Sequence, residues 1–213
     1  MLRDWLERRT GGPAPLYERV LRGVDRTSID AARRTLLAGA PSPVLEIGAG
    51  PGAALAHYPA GSRVTALEPE PDFRRAARAR ARDVPADVRV VAGDAHDLSF
   101  EAGSFASVVV QLTLCSVALP HVALAESYRV LRPGGELRLL EHVRHPHPWV
   151  GRLQDAVDPL WARLEGRGCR LGRDTPRAVS EAGFVVDDVA EVPMPPGASW
   201  LFPVVIVRAH RPA

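Results

Sequence analysis

Three glycines, Gly48, Gly50 and Gly52, fall within five residues of the stretch VLEIGAGPG, and the carboxylate of Glu46 stands just before them. Glycine admits backbone angles and close approaches that a side chain forbids. A Gly-rich turn between a buried strand and a helix is a common seat for a nucleotide-like ligand. Glu68 follows Gly48 by 20 residues, where an acidic side chain at a strand end accepts hydrogen bonds from both hydroxyls of a ribose. The same residue could equally be an exposed carboxylate opening a helix. Asp94, in AGDAHDL, follows a third apolar run, and an aspartate there is also a common helix cap. The glycine spacing is selective. A dinucleotide site asks for G-x-G-x-x-G, and Ala53 occupies the third of those positions.

Further along, Cys115 follows the most apolar run of the chain. It is either a small buried residue or a neighbour of the reacting group. His142 closes a later apolar run. A neutral imidazole there could take a substrate proton near pH 7, or could be structural with a backbone partner. His145 and His147 flank a proline and supply no complete ligand set, so no metal is expected. Tyr17 and Trp161 could close a pocket without adding charge, or simply pack.

These residues need a scaffold, and the chain alternates strand and helix patterns from Pro43 onward. PVLEIG reads as a buried strand, AALAHY as the start of a helix that Pro59 stops, and RVTALE (63–68) as a second strand. The helix PDFRRAARARARDV follows, with proline suited to its first turn. VRVVAGD (88–94), FASVVVQLTL (105–114) and ELRLLEHV (136–143) are further strands, the middle one central because it is the most apolar. PHVALAESYRVL is a helix ending at RPGG. WVGRLQDAVDPLWARL predicts helix on both sides of Pro159, and TPRAVSEAG a short one. The last two β-rich runs, FVVDDVAEV and WLFPVVIVRAH, are separated only by a loop. Alternation implies a doubly wound α/β parallel sheet, and the late pair suits an antiparallel hairpin at one edge.

Composition removes several classes. The chain has 213 residues, a net charge of +2 and no lysine, so its 27 basic residues are all arginine. No bulk polycation argues for nucleic acid, and the arginine-rich run at 74–82 reads as a solvated helix face. Two cysteines build no disulfide framework and fit a reducing, cytoplasmic setting. No apolar run approaches the roughly 20 residues of a membrane span. Residues 1–40 are expected to form an N-terminal helical lid and 41–213 one domain.

The motif E-I-G-A-G-P-G, Glu68, Asp94 and RVLRPGG before the fifth strand together resemble the class I S-adenosylmethionine (SAM)-dependent methyltransferases. That resemblance implies a seven-stranded, Rossmann-like methyltransferase sheet with SAM across its C-terminal strand ends. The glycine backbone would lie along the amino acid part of SAM, with Glu68 on the ribose and Asp94 at the adenine edge. The cofactor contacts implied are Tyr17, Glu46, Gly48, Ala49, Gly50, Glu68, Pro69, Asp94, Ala95, Gln111 and Leu112. Ala106 departs from the pattern, standing where many members carry aspartate.

LCSV (114–117), LEHV (140–143), DPLW (158–161) and GCRLGRDT (168–175) resemble, in order, the thiol methyltransferase-like branch. The implied acceptor is the thiol of a small, mostly apolar molecule, lying near Cys115, His142 and Trp161, with His142 as candidate base and S-adenosylhomocysteine as product. Animal members of that branch open with an apolar membrane anchor. This sequence opens without one, and stable membrane insertion is not expected. The alternative within the family is O- or C-methylation of a small aromatic, quinone or lipid-like acceptor. Outside it stand a dinucleotide-dependent oxidoreductase, which needs the longer glycine spacing, and a catalytically silent SAM-binding protein. No nucleic-acid partner is expected, and the oligomeric state stays open.

Overall fold

The computed structural model describes residues 26–165, 168–194 and 202–213. In chain order the elements are α1 (Arg26–Leu37), β1 (Val44–Ile47), β2 (Arg63–Leu67), α2 (Pro71–Arg80), β3 (Asp87–Val91), β4 (Phe105–Gln111), α3 (Pro120–Val130), β5 (Leu131–His142), α4 (Pro148–Glu165), α5 (Thr175–Glu181), β6 (Val185–Glu191) and β7 (Val204–His210). They build a seven-stranded sheet in the order β3-β2-β1-β4-β5-β7-β6. β1 to β5 run parallel to their neighbours, whereas β7 pairs antiparallel with both β5 and β6. The expected doubly wound sheet with a late antiparallel hairpin is therefore present.

Strand periodicity divides the core. Side chains alternate between the two faces of a sheet, so Val44, Val109 and Leu140 face a core shared with Leu36 and Leu37 of α1 and Ala77 of α2. Leu45, Ile47, Val108, Val110, Leu137 and Leu139 face the other, shared with Leu124 of α3 and Val179 of α5. β4 is buried along its whole length, which explains its nearly unbroken apolar sequence. α1 is fixed by more than burial. The guanidinium of Arg138, itself buried, donates to the carbonyls of Leu36, Ala38 and Gly39, satisfying acceptors that a helix C-terminus leaves open.

Local expectations fared unevenly. The segment after the glycines is not an α-helix: a 3-10 turn covers only Leu55–His57. Few residues separate Gly52 from Pro59, and closing a first α-turn over so short a run is unfavourable. Helix α4 runs through Pro159 without a break. The arginines of α2 are not merely solvated, since Arg74, Arg78 and Arg80 donate to the carbonyls of Glu68, Val90 and Pro51. Most of the expected lid, residues 1–25 with Tyr17, lies outside the described residues. Its described part, α1, packs on the sheet. Among the described residues no helix is long and apolar enough to cross a membrane.

Candidate active site

Because β1 to β5 are parallel, their C-terminal ends share one edge of the sheet, the usual position for a ligand crevice in an open α/β fold. The glycine turn leaves β1 there. Gly48 and Ala49 donate their N–H groups to the Leu67 carbonyl at 2.9 and 3.1 Å, locking the turn to β2. Gly48 has φ +72°, and a Cβ on it would lie 2.4 Å from Thr113 Oγ1. Gly50 has φ +55°, and a Cβ on it would meet no atom within 4 Å. The first glycine is required by packing against the loop after β4. The second faces open space.

Glu68, directly after β2, is buried and closes this turn. Its Oε2 accepts from Gly50 N–H at 2.7 Å and its Oε1 from Glu70 N–H at 2.9 Å. Pro69 follows it, its carbonyl accepting from Arg74. Asp94, three residues beyond β3, is more exposed. Its Oδ1 accepts from His96 N–H at 2.9 Å and lies 2.6 Å from His96 Nδ1. The His96 backbone donor is the main cause holding the Asp94 carboxyl below its usual range. Ala95 is buried.

Glu46 lies wholly inside, under the turn. Burial pushes its carboxyl up to about 7, with Tyr58 and Arg33 pulling the other way. Gln111 Nε2 donates to Glu46 Oε1 at 3.2 Å, while Glu46 Oε2 has no hydrogen-bond partner. Leu112, directly after β4, has φ 50°, a left-handed conformation uncommon for such a side chain. Its N–H donates to Leu140.

Sequence reasoning missed the group that shapes the next three residues. The buried carboxylate of Glu141 accepts from the N–H groups of Thr113, Leu114 and Cys115 at 2.8, 3.0 and 3.2 Å. Burial raises its pKa, and those three donors oppose the rise. Cys169 was also missed as a site residue. Cys115, His142 and Cys169, all buried, bring their donor atoms within 4.8 Å of one another. Cys169 Sγ is 3.7 Å from His142 Nδ1. The Cys169 thiol is lowered, first by the Cys115 thiol and then by His142, while that of Cys115 is raised well above its ordinary value. Trp161 stands beside Cys169, among the groups that lower it, and its ring centroid is 5.0 Å from that of Phe202. Phe202 in turn lies 5.9 Å from the His142 ring. Cys115, His142 and Trp161, separated in sequence, therefore gather around Cys169 in one cluster inside the fold.

The strand order and the strand-end constellation define a class I methyltransferase fold. Residues 45–139 match the methyltransferase domain family, and the chain belongs to the class I SAM-dependent methyltransferases. It is similar to thiol S-methyltransferase TMT1B of Homo sapiens, 38% identical over 162 residues that cover 74% of this chain and 65% of that protein. With thiol S-methyltransferase TMT1A of Homo sapiens it shares 35% identity over 171 residues, 78% of this chain and 67% of that one. The chain thus spans about two thirds of the length of these curated relatives. Among solved structures, geranyl diphosphate C-methyltransferase from Streptomyces coelicolor A3(2) superposes with a TM-score of 0.65 at 19% identity, over 85% of this chain and 80% of that one. That likeness is one of fold.

Proposed function

We propose that this protein transfers the methyl group of SAM to the sulfur of a small, mostly apolar thiol. The observation that carries this reading is the match to thiol S-methyltransferases, 38% identical across 74% of the chain. SAM would supply an electrophilic methyl group. The residues that fit it are those at the shared strand edge. The open space at Gly50 suits close approach of the amino acid part along 48–50. Glu68 would take the ribose hydroxyls, since each carboxylate oxygen keeps a lone pair beyond its bond to Gly50 or Glu70. Asp94 and Ala95 would border the adenine, Gln111 and Leu112 the sulfonium side, and Glu46 would support the turn from beneath. Tyr17 is proposed as a lid residue on the N-terminal segment within 1–40, and 41–213 as the catalytic domain.

A thiol asks little of the protein. With a pKa of about 8.5 it is a few per cent thiolate at neutral pH, so alignment at about 3 Å supplies most of the rate. His142, Cys115 and Trp161 would lie around the acceptor sulfur. The two buried thiols are proposed to sit in a reducing, cytoplasmic setting.

The test is an acceptor panel: the chain incubated with SAM and matched alkyl thiol, phenol and amine, with methylated product and S-adenosylhomocysteine quantified. Thiol methylation at least tenfold above the others is expected. Methylation of the phenol but not the thiol would move the assignment to the O-methylating alternative.

A further inference from the structure

We propose that Cys115, His142 and Cys169 form a zinc site with three protein ligands and an open fourth position, and that this position takes the acceptor's thiolate. The second half of the proposal rests on the thiol reading above; the first does not.

The chemistry of the donor set is specific. Two thiolates and one imidazole are a known catalytic zinc set, and three protein ligands leave one position for water or substrate. Tetrahedral geometry at ordinary zinc bond lengths separates two sulfurs by about 3.8 Å and a sulfur from a nitrogen by about 3.6 Å. Cys169 Sγ and His142 Nδ1 are 3.7 Å apart, and all three donor atoms fall within 4.8 Å. Small side-chain rotations would close the set.

The backbone holds this cluster together from three directions. Arg170 N–H donates to the Cys115 carbonyl at 2.8 Å. Gly168 has φ +82°, and a Cβ there would lie 3.1 Å from the Ser116 carbonyl oxygen, so glycine allows the two loops to touch. The Glu141 carboxylate fixes the Cys115 amide, and Arg173 donates to the carbonyls of Leu114 and Val117. That guanidinium also places a positive charge near the two sulfurs. A second observation concerns the histidine itself. His142 is buried, its Nε2 has no hydrogen-bond partner, and its Nδ1 faces a thiol. Ligation through Nδ1 would occupy the nitrogen that faces the sulfur and would leave the ring proton on Nε2.

In the sequence, the histidines close enough to suggest a metal are His145 and His147, which flank a proline and make no ligand set. The three residues assembled here are 27 and 54 positions apart along the chain, and the fold alone joins them. With two thiolates and a neutral imidazole, bound Zn²⁺ leaves a site of zero net charge that still accepts an anion. An entering thiol R–SH gives its proton to solvent, and the sulfur lone pair fills the fourth position. No redox change is involved.

The test uses the full chain without an affinity tag, reduced and freed of metal. Zinc is titrated against a chromogenic chelator, and Co²⁺ is used as a spectroscopic probe, with no SAM present. One zinc per chain is expected, with thiolate-to-cobalt charge-transfer absorption. Cys115→Ser, Cys169→Ser and His142→Ala should each weaken zinc binding at least tenfold while circular dichroism stays that of the folded chain. Should a variant fail to fold, the cobalt absorption of the parent chain decides alone: no thiolate band overturns the site. Zinc binding that survives all three substitutions overturns it too, as does a Cys115–Cys169 disulfide that forms in place of metal uptake. Ethanethiol added to the cobalt form should shift its spectrum and release one proton. An unchanged spectrum overturns the acceptor role while leaving the metal site. A chain that methylates thiols yet binds no zinc would overturn the site and keep the function, so the two readings fail separately.

Discussion

At the scale of single residues, two neighbouring glycines do different jobs, and substitution separates them. Gly48 and Gly50 both have positive φ, which disfavours a side chain by about 1–2 kcal/mol. Only at Gly48 would a new Cβ also collide, 2.4 Å from Thr113 Oγ1. Gly48→Ala must therefore push Thr113 and the loop after β4, and the expected loss of stability is about 3 kcal/mol once overpacking is added. At Gly50 the added methyl enters open space. Gly50→Ala should lose only about 1 kcal/mol, yet reduce S-adenosylhomocysteine affinity at least tenfold, because the methyl occupies the room assigned to the cofactor. Urea unfolding and calorimetry read the two effects independently. Equal stability losses with unchanged affinity in Gly50→Ala would remove the 48–50 turn from the cofactor site.

The interplay between β1, β4 and the 3-10 turn sets a pH response at the scale of elements. Glu46 on β1 meets Gln111 at the end of β4, and Tyr58 follows the 3-10 turn on the same side. Gln111 Oε1 and Glu46 Oε2 are buried without hydrogen-bond partners, with the Tyr58 hydroxyl beside the carboxyl. Burial raises the Glu46 carboxyl from 4.5 to about 7. The folded chain thus keeps a proton that the unfolded chain has already lost, so this group lowers stability as pH rises from about 4.5 to about 7 and its full cost stands above that. The shift corresponds to roughly 3 kcal/mol. Glu46→Gln cannot ionise and brings a donor to the unpartnered oxygens. Its stability should match the parent near pH 4.5 and exceed it at pH 8 by roughly 2–3 kcal/mol, as denaturant curves at both pH values would show. An equal loss at both would mean a paired, ionised carboxylate. Such elements also mark what sequence can convey. The strand-end positions of Glu68 and Asp94 were legible because each follows a strand whose apolar run announces its end. The turn at Leu55–His57 was not, since composition favours helix and only the nearby Pro59 argues against it. Glu141 and Cys169 were silent for another reason. One serves three amides of a different loop, and the other reaches His142 only after α4 folds its following segment back over β5.

The strand-end site draws on five parallel strands, so its occupation should register across the whole molecule. Gly48 and Ala49 bond to β2, Glu68 bonds back to the turn, and Glu141 of β5 holds the loop after β4. A cofactor seated there touches segments already tied to one another, and binding free energy adds to the stability of the folded chain. At a ligand concentration 100 times Kd that addition is about 2.7 kcal/mol. For a domain of this size it corresponds to a rise in Tm of roughly 5–11 °C. S-adenosylhomocysteine should produce such a shift, and NAD none, because Ala53 stands where a dinucleotide turn has its third glycine. Hydrogen exchange adds the location: protection should rise at 48–52, 68–70, 94–98 and 111–115, and stay unchanged along the β6–β7 hairpin, which lies two strands away from β4. Glu68→Ala removes an ionised acceptor whose hydrogen bonds are each worth about 1.5–3 kcal/mol. At the same ligand concentration its shift should fall by half or more. A shift produced by NAD and not by S-adenosylhomocysteine, or protection centred on the hairpin, would mean that the ligand crevice lies elsewhere and that the strand-end carboxylates serve only the fold.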